Sequence, residues 1–169
     1  MWFVQMMIRA SLLFLSLTAL ATTTACSKKD GGSAGKSSES AKTGSTKLPK
    51  LGLTVDVPGE ATVGDGVLGD GQSVTGEDIG MMNIEVAAKP QTLDEAKADA
   101  DMYTPKNVKA DKLADGWALS FDNTGGAGAN YFVEVHREIG GKTYKCTTTQ
   151  GDKDRAAAVL AACKTLKKG

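Results

Sequence analysis

Covalent chemistry in this chain of 169 residues would depend on its one histidine, His136. A hydrolase needs a nucleophile, a base and a group that orients the base. Ser120 or an aspartate could act beside His136, but the sequence has no Gly-x-Ser-x-Gly elbow. His136 also falls on the polar face of a predicted hairpin, where we expect an exposed side chain. A hydrolase is therefore the least favoured of three functional hypotheses, and we expect no catalytic residues.

A calcium site is the next possibility, because residues 59–80 are rich in glycine and aspartate. Asp65 and Asp70 are the candidate metal ligands, since calcium prefers carboxylate oxygens in tight turns. The alternating aspartates and closing glutamate of an EF-hand loop are absent. Turns between short strands explain the same composition, so this small-ligand or calcium function is kept as the alternative.

The remaining composition argues against nucleic acids and cofactors. Residues 48–169 hold 14 basic and 18 acidic side chains, whereas phosphate backbones require clustered lysine and arginine. The Gly125-Gly126-Ala127-Gly128 run leads into a predicted strand rather than a helix, unlike a phosphate-binding loop. We expect residues 123–130 to be a mobile connector, and we expect no cofactor.

The N-terminus carries export signals. Residues 10–20 are apolar and follow Arg9, but the run is shorter than the roughly 20 residues that span a bilayer. The following Thr23-Thr24-Ala25-Cys26 resembles a bacterial lipobox, although Thr23 replaces the usual leucine. The resemblance implies that residues 1–25 are a removable signal peptide and that Cys26 carries a lipid. The chain would then be anchored to the outer or cytoplasmic membrane with its domain outside the cytoplasm.

Lipidation of Cys26 leaves two cysteines, Cys146 and Cys163, in an oxidising compartment, where a disulfide is the expected outcome. Two buried thiols are the alternative if the bond geometry cannot be met. A zinc site is disfavoured, because these cysteines and the distant His136 do not supply four ligands. We expect residues 26–47 to be a flexible tether and residues 48–169 to be a single domain.

Hydrophobic alternation predicts strands at residues 53–57, 82–88, 107–112 and 117–121. Thr92 and Glu95 form a capping box for a helix that Pro105 stops. Trp117, Leu119 and Phe121 share one face of their strand, and we expect them to pack in the core.

The sequence of the last third of the chain predicts both a strand register and the placement of its two cysteines. Gly140-Gly141 is a hairpin turn signal, and pairing Ile139 with Lys142 sets Cys146 opposite Val135. Asp152 caps a final helix whose apolar stripe includes Ala156, Val159, Leu160, Cys163 and Leu166. Both cysteines then lie on buried faces, which favours a disulfide joining the helix to the sheet.

This order of elements, with its closing Tyr144-Lys145-Cys146 strand and Cys163-Lys164-Thr165-Leu166-Lys167 helix, resembles the Mog1/PsbP-like proteins, some of which match DcrB. The resemblance implies an α+β fold, an antiparallel sheet packed by helices as an α/β/α sandwich. It transfers no functional residue, because fold alone does not fix function. The favoured hypothesis is a non-catalytic envelope lipoprotein that binds or supports an envelope protein partner.

Overall fold

The structure is a computed structural model that describes residues 43–67, 69–126 and 128–169. Those residues form ten strands, two α-helices and a 3₁₀ turn at Asp101–Tyr103. The strands are β1 (Thr43–Leu48), β2 (Leu53–Pro58), β3 (Ala61–Asp65), β4 (Gln72–Gly76), β5 (Gly80–Val86), β6 (Lys106–Leu113), β7 (Gly116–Gly125), β8 (Gly128–Ile139), β9 (Lys142–Gln150) and β10 (Lys167–Lys168). The helices are α1 (Leu93–Ala100) and α2 (Lys153–Lys164).

The strands form two antiparallel sheets. The larger sheet has seven strands in the order β3-β4-β5-β9-β8-β7-β6, and the smaller one has the order β1-β2-β10. Every neighbouring pair is antiparallel. The predicted α+β class, with an antiparallel sheet packed by helices, is therefore confirmed.

The ordered chain begins before the predicted boundary at Leu48. β1 starts at Thr43 and pairs with β2 along its whole length, from Thr43 with Pro58 to Leu48 with Leu53. The prediction of flexible chain up to Lys47 is wrong for residues 43–47. Backbone pairing needs no large apolar side chain, and the fully buried Leu48 fixes the end of the strand in the core.

The main core lies between α2, the small sheet and one face of the large sheet. Asp152 caps α2 by accepting hydrogen bonds from the backbone nitrogens of Asp154 at 2.9 Å and Arg155 at 3.0 Å. Of the predicted stripe, Leu160 is half-buried and the other members are buried, including Val159. The sequence therefore predicted correctly which face of α2 packs inward.

The β8–β9 hairpin has the predicted register. Ile139 pairs with Lys142, and Cys146 pairs with Val135. Gly140 and Gly141 have φ of 61° and 76°, which suits a two-residue turn that other residues adopt only with strain. The sulfurs of Cys146 and Cys163 lie within bonding distance, with Cα atoms 5.8 Å apart, so the disulfide joins β9 to α2 as predicted.

A second, smaller core lies on the other face of the large sheet. Thr92 and Glu95 form the predicted capping box at the start of α1. Ala96 and Ala100 of α1 pack against Trp117 and Leu119 of β7. Trp117 and Ala118 are successive residues of β7, so their side chains point to opposite faces of the sheet. Trp117 packs with α1 and Ala118 belongs to the main core with α2, so the two helices pack on opposite faces.

Of the predicted mobile connector at residues 123–130, residues 123–125 and 128–130 are strand instead, and Ala127 lies outside the described residues. β7 and β8 stay paired as far as Gly125 with Gly128, through the pairs Asn123 with Asn130 and Thr124 with Ala129. The Asn130 side-chain nitrogen also donates to the Asn123 side-chain oxygen over 3.1 Å. Polar and glycine residues suggested a loop, but a hairpin ladder is held by backbone groups that every such residue supplies.

Arg137 joins the β6–β7 turn to the end of α2. Its Nε and Nη2 donate to the Asp115 carboxylate at 2.7 and 2.8 Å, and its Nη1 donates to the Lys164 carbonyl. The hydrogen bond from Arg137 lowers the pKa of Asp115 below its ordinary value. Because the folded-state pKa is the lower one, the stabilisation is present at neutral pH and is lost as the pH falls through it.

We expect Asp115→Asn to lower the free energy of unfolding at pH 7 by about 1 kcal/mol at most, since the pair is partly solvated. The difference from the unchanged protein should shrink as the solution is acidified below the ordinary pKa of aspartate. Urea denaturation at a series of pH values measures it. Asp94→Asn is the matched control, because Asp94 is 95 % exposed. A pH-independent difference would contradict the assignment.

Candidate functional site

Cys26, the predicted lipid attachment site, lies outside the described residues, as do the predicted signal peptide 1–25 and the predicted tether up to residue 42. No helix in the described part of the chain is long and apolar enough to cross a membrane. The lipid anchor is therefore a prediction from the sequence.

The two candidate calcium ligands lie in one hairpin. Asp65 ends β3, and Asp70 lies in the turn before β4. The Lys50 ammonium donates to the Asp65 carboxylate, and this hydrogen bond holds the pKa of Asp65 below its ordinary value. Across residues 43–67, 69–126 and 128–169, no three His, Cys, Asp or Glu residues are grouped so that they could hold a metal ion.

His136 is buried, so its predicted exposure is wrong. Its ring stacks on the Trp117 indole, with ring centroids 4.2 Å apart and planes 15° from parallel. Its Nε2 lies 2.9 Å from the Glu134 carboxylate, whereas its Nδ1 is buried without a hydrogen-bond partner among the described residues. The β7–β8 pairing sets Trp117 beside His136, and the Trp117 Nε1 donates to the Gln91 carbonyl just before α1. The predicted solvent face is therefore covered here.

Ser120 lies on the opposite face of the sheet from His136. It pairs with Val133, whereas His136 pairs with Trp117, and successive residues of a strand point to opposite faces. The structure therefore does not bring together the serine and histidine that the hydrolase hypothesis required. His136 does have carboxylates nearby. The Glu134 carboxylate contacts its ring directly, and Asp70 and Glu85 line a surface cleft that His136 also lines.

A groove runs along α1 on the His136 face, and we call it the α1 groove. Its volume is about 370 Å³. One wall is formed by α1 and the 3₁₀ turn, and the floor is formed by Leu119, Phe121, Phe132, Glu134, Thr147 and Thr149. Gln91 and Lys145 also line an adjoining cleft of about 630 Å³ that contains His136. The short helix α1 packs on β7 and leaves the floor on β8 and β9 only partly covered.

Aromatic side chains gather at one end of the α1 groove. Phe121 and Phe132 stack with centroids 4.6 Å apart, and Tyr103 lies 5.3 Å from Phe132 and 6.2 Å from Phe121. Tyr103 is half exposed, and the neighbouring Met102 is 78 % exposed. Clustered aromatics that remain accessible are typical of binding surfaces.

The charged groups along the α1 groove are mainly acidic. Asp99 and Glu134 line it, and Lys145 is its one lysine among the described residues. Lys145 is already paired with Glu85 at 2.9 Å. A ligand in this groove would therefore meet aromatic faces and two carboxylates that have hydrogen-bond partners, Gln91 for Asp99 and His136 for Glu134, but no ion pair with a described lysine or arginine.

A second cavity, the α2 pocket, lies on the opposite face between α2 and strands β6 to β8. Its volume is about 270 Å³. Ser120 lies in this pocket, together with Lys109, Tyr131 and Lys153. No local sequence pattern marks Lys109, Tyr131 or Lys153 as site residues, because their proximity depends on how α2 packs against the sheet beside β6.

No protein-family model matches the chain, and no curated protein sequence matches it significantly. The family resemblances drawn from the sequence therefore stay predictions.

Proposed function

We propose that this chain is a lipid-anchored protein of the bacterial cell envelope whose domain binds another envelope protein without catalysing a reaction. The proposed anchor is a diacylglyceryl group on Cys26, supported by the apolar run at residues 10–20 and the small residues before the cysteine. A lipid on the N-terminal cysteine would hold the domain close to the membrane surface.

The observation that carries the binding function is the open, aromatic α1 groove. Tyr103 and Met102 expose apolar surface beside Phe121 and Phe132, and Asp99 and Glu134 add negative charge. Aromatic rings and carboxylates together favour a partner that presents arginine or lysine next to apolar side chains. We therefore propose that the partner inserts a basic, apolar segment into the groove.

We also propose that the fold is the Mog1/PsbP-like α/β/α sandwich. This proposal is supported by the packing of α1 and α2 on opposite faces of one antiparallel sheet. The fold itself assigns no activity.

The alternative functions have less support. The ion pair from Lys50 already neutralises Asp65, which disfavours calcium binding by residues 59–80. The separation of Ser120 and His136 on opposite sheet faces disfavours a serine hydrolase.

Site-specific photo-cross-linking in the native bacterium tests the proposal. A benzophenone amino acid is introduced in place of Met102 in the α1 groove, and in a second strain in place of Val67. Val67 is the matched control, because it is also an exposed apolar residue, at 65 %, but does not line the groove. We expect a discrete protein adduct from position 102 alone.

The adduct must also depend on the chemistry of the groove. Adding Tyr103→Ala or Glu134→Gln to the strain with the probe at position 102 should reduce its yield several-fold, since each removes an aromatic face or a carboxylate. Equal adducts from positions 102 and 67, or a yield that neither substitution changes, would contradict the proposal.

A further inference from the structure

The α2 pocket lies where the first two turns of α2 pass over β7 and β8, beside the edge strand β6. Its apolar lining consists of Phe121, Phe132, Val133, Ala156, Ala157 and Leu160. Ala156 and Ala157 of α2 and Ser120 of β7 all line the pocket, so small side chains contribute to its lining from both the helix and the sheet. Ala157 is exposed, so the pocket opens at the surface. The pocket volume is just below the roughly 300 Å³ at which ligand pockets begin, so it suits a small molecule.

Unpaired polar groups converge on this pocket. The side chains of Ser120, Tyr131 and Lys153 make no hydrogen bond or ion pair with any other described residue. Lys109 enters from β6, in register with Ser120. Ser120 and Tyr131 are partly buried and Lys109 and Lys153 are exposed, so all four hydrogen-bonding groups are accessible to a ligand at this pocket.

The charge of the pocket differs from that of the domain. Residues 48–169 carry an excess of acidic side chains, yet the pocket has two lysines, Lys109 and Lys153, and one carboxylate, Asp122. The Asn107 side-chain nitrogen donates to the Asp122 carboxylate at 2.8 Å, so part of its hydrogen-bonding capacity is already used. The pocket is therefore locally basic and can attract an anion.

We infer that the α2 pocket binds a small monocarboxylate with an apolar body. The carboxylate accepts hydrogen bonds from the Lys109 and Lys153 ammonium groups and from the Ser120 and Tyr131 hydroxyls. The apolar body packs against Val133, Ala156 and Leu160. This inference goes beyond the proposed function, because Lys109, Ser120, Tyr131 and Lys153 line the α2 pocket and not the α1 groove, although Phe121, Phe132 and Val133 line both cavities.

The test is a titration of the full chain, purified from membranes in a non-ionic detergent, with hexanoate. Backbone amide resonances are followed by nuclear magnetic resonance, and we expect saturable shifts centred on Ser120, Tyr131 and Ala157. Hexanamide has the same apolar body without the charge, and it should bind at least about tenfold more weakly, since charged hydrogen bonds are the stronger ones.

Two pairs of variants locate the site. The double variant Lys109→Met/Lys153→Met should weaken hexanoate binding about tenfold, whereas Lys112→Met should change it by less than about twofold. Lys112 is on the same strand as Lys109 but pairs with Trp117, on the other face. Ala157→Trp should block the pocket, and Ala161→Trp should not, since Ala161 is also exposed but lies one turn further along α2 and does not line the pocket.

Each outcome of these titrations either supports or overturns the inferred carboxylate site in the α2 pocket. Saturable binding that Ala157→Trp abolishes and Ala161→Trp preserves would support the inference. It would be overturned if hexanoate caused no saturable shifts, if hexanamide bound equally well, or if Lys112→Met weakened binding as much as the double variant. The cross-linking at position 102 reports separately on the proposed function, so either result can fail without the other.

Discussion

Replacing Trp117 with alanine is expected to lower the free energy of unfolding by about 3–5 kcal/mol, the usual cost of truncating a buried aromatic residue. Trp117 is only 7 % exposed and packs against Ala96, Ala100 and Leu119 in the smaller core. Its ring also stacks on His136, so its removal would leave a buried polar ring next to a cavity. Urea denaturation measures the loss.

A second measurement shows where the loss of stability acts. The Trp117 Nε1 donates to the Gln91 carbonyl at 2.9 Å, which holds the start of α1 against β7. Hydrogen exchange of the α1 amides should therefore accelerate more in Trp117→Ala than exchange in α2. Tyr103→Ala is the control, because Tyr103 is an aromatic residue on the same face but is half exposed. A cost no greater than that of Tyr103→Ala would contradict the role given to Trp117.

Removing the disulfide is expected to cost about 3 kcal/mol, the value for a closed loop of roughly this length in the chain-entropy model. Cys146 and Cys163 are 17 residues apart in sequence and connect the centre of the large sheet to α2. Both side chains are fully buried, so Cys146→Ala/Cys163→Ala also removes some packing.

Reduction separates the two contributions. A thiol reductant should lower the denaturation midpoint of the unchanged protein and leave that of Cys146→Ala/Cys163→Ala where it was. Equal midpoints for the unchanged protein with and without reductant, once free thiols have been counted to confirm reduction, would show that the bond contributes little to stability.

Prediction from the sequence was most accurate where the strand alternation of the hairpin and the helical periodicity of α2 pointed to the same contact. The Gly140-Gly141 turn fixed the β8–β9 register, and the register placed Cys146 on the same side as the buried stripe of α2. Local signals of this kind, including the Thr92 capping box, depend on residues close in sequence. Such local signals can therefore be recognised without knowledge of the tertiary structure.

The prediction for His136 failed because alternation tells which residues share a face but not whether that face is covered. Recognising that Gly125 pairs with Gly128 would have paired Trp117 with His136 and indicated that His136 is buried. Polar and glycine residues near that pair suggested a connector instead. β1 was missed for a related reason, since its partner β2 supplies the backbone hydrogen bonds that its own side chains do not signal.

The α1 groove and the α2 pocket could not be read from the sequence either. Tyr103 and Phe132 are far apart along the chain, yet their rings lie 5.3 Å apart. Lys109 and Lys153 line one pocket only because the start of α2 packs over the part of the sheet that lies next to the edge strand β6. Sites assembled from distant segments depend on sheet order and helix placement, which the local patterns of one sequence do not specify.

The central claim is that Cys26 anchors this binding domain to a membrane, and the intact mass of the protein purified from its native cells tests it most directly. We predict a chain that begins at Cys26 and carries the added mass of a diacylglyceryl group, with Cys26→Ala giving a protein that lacks that mass. A chain that keeps residues 1–25 and has no lipid on Cys26 would contradict the claim.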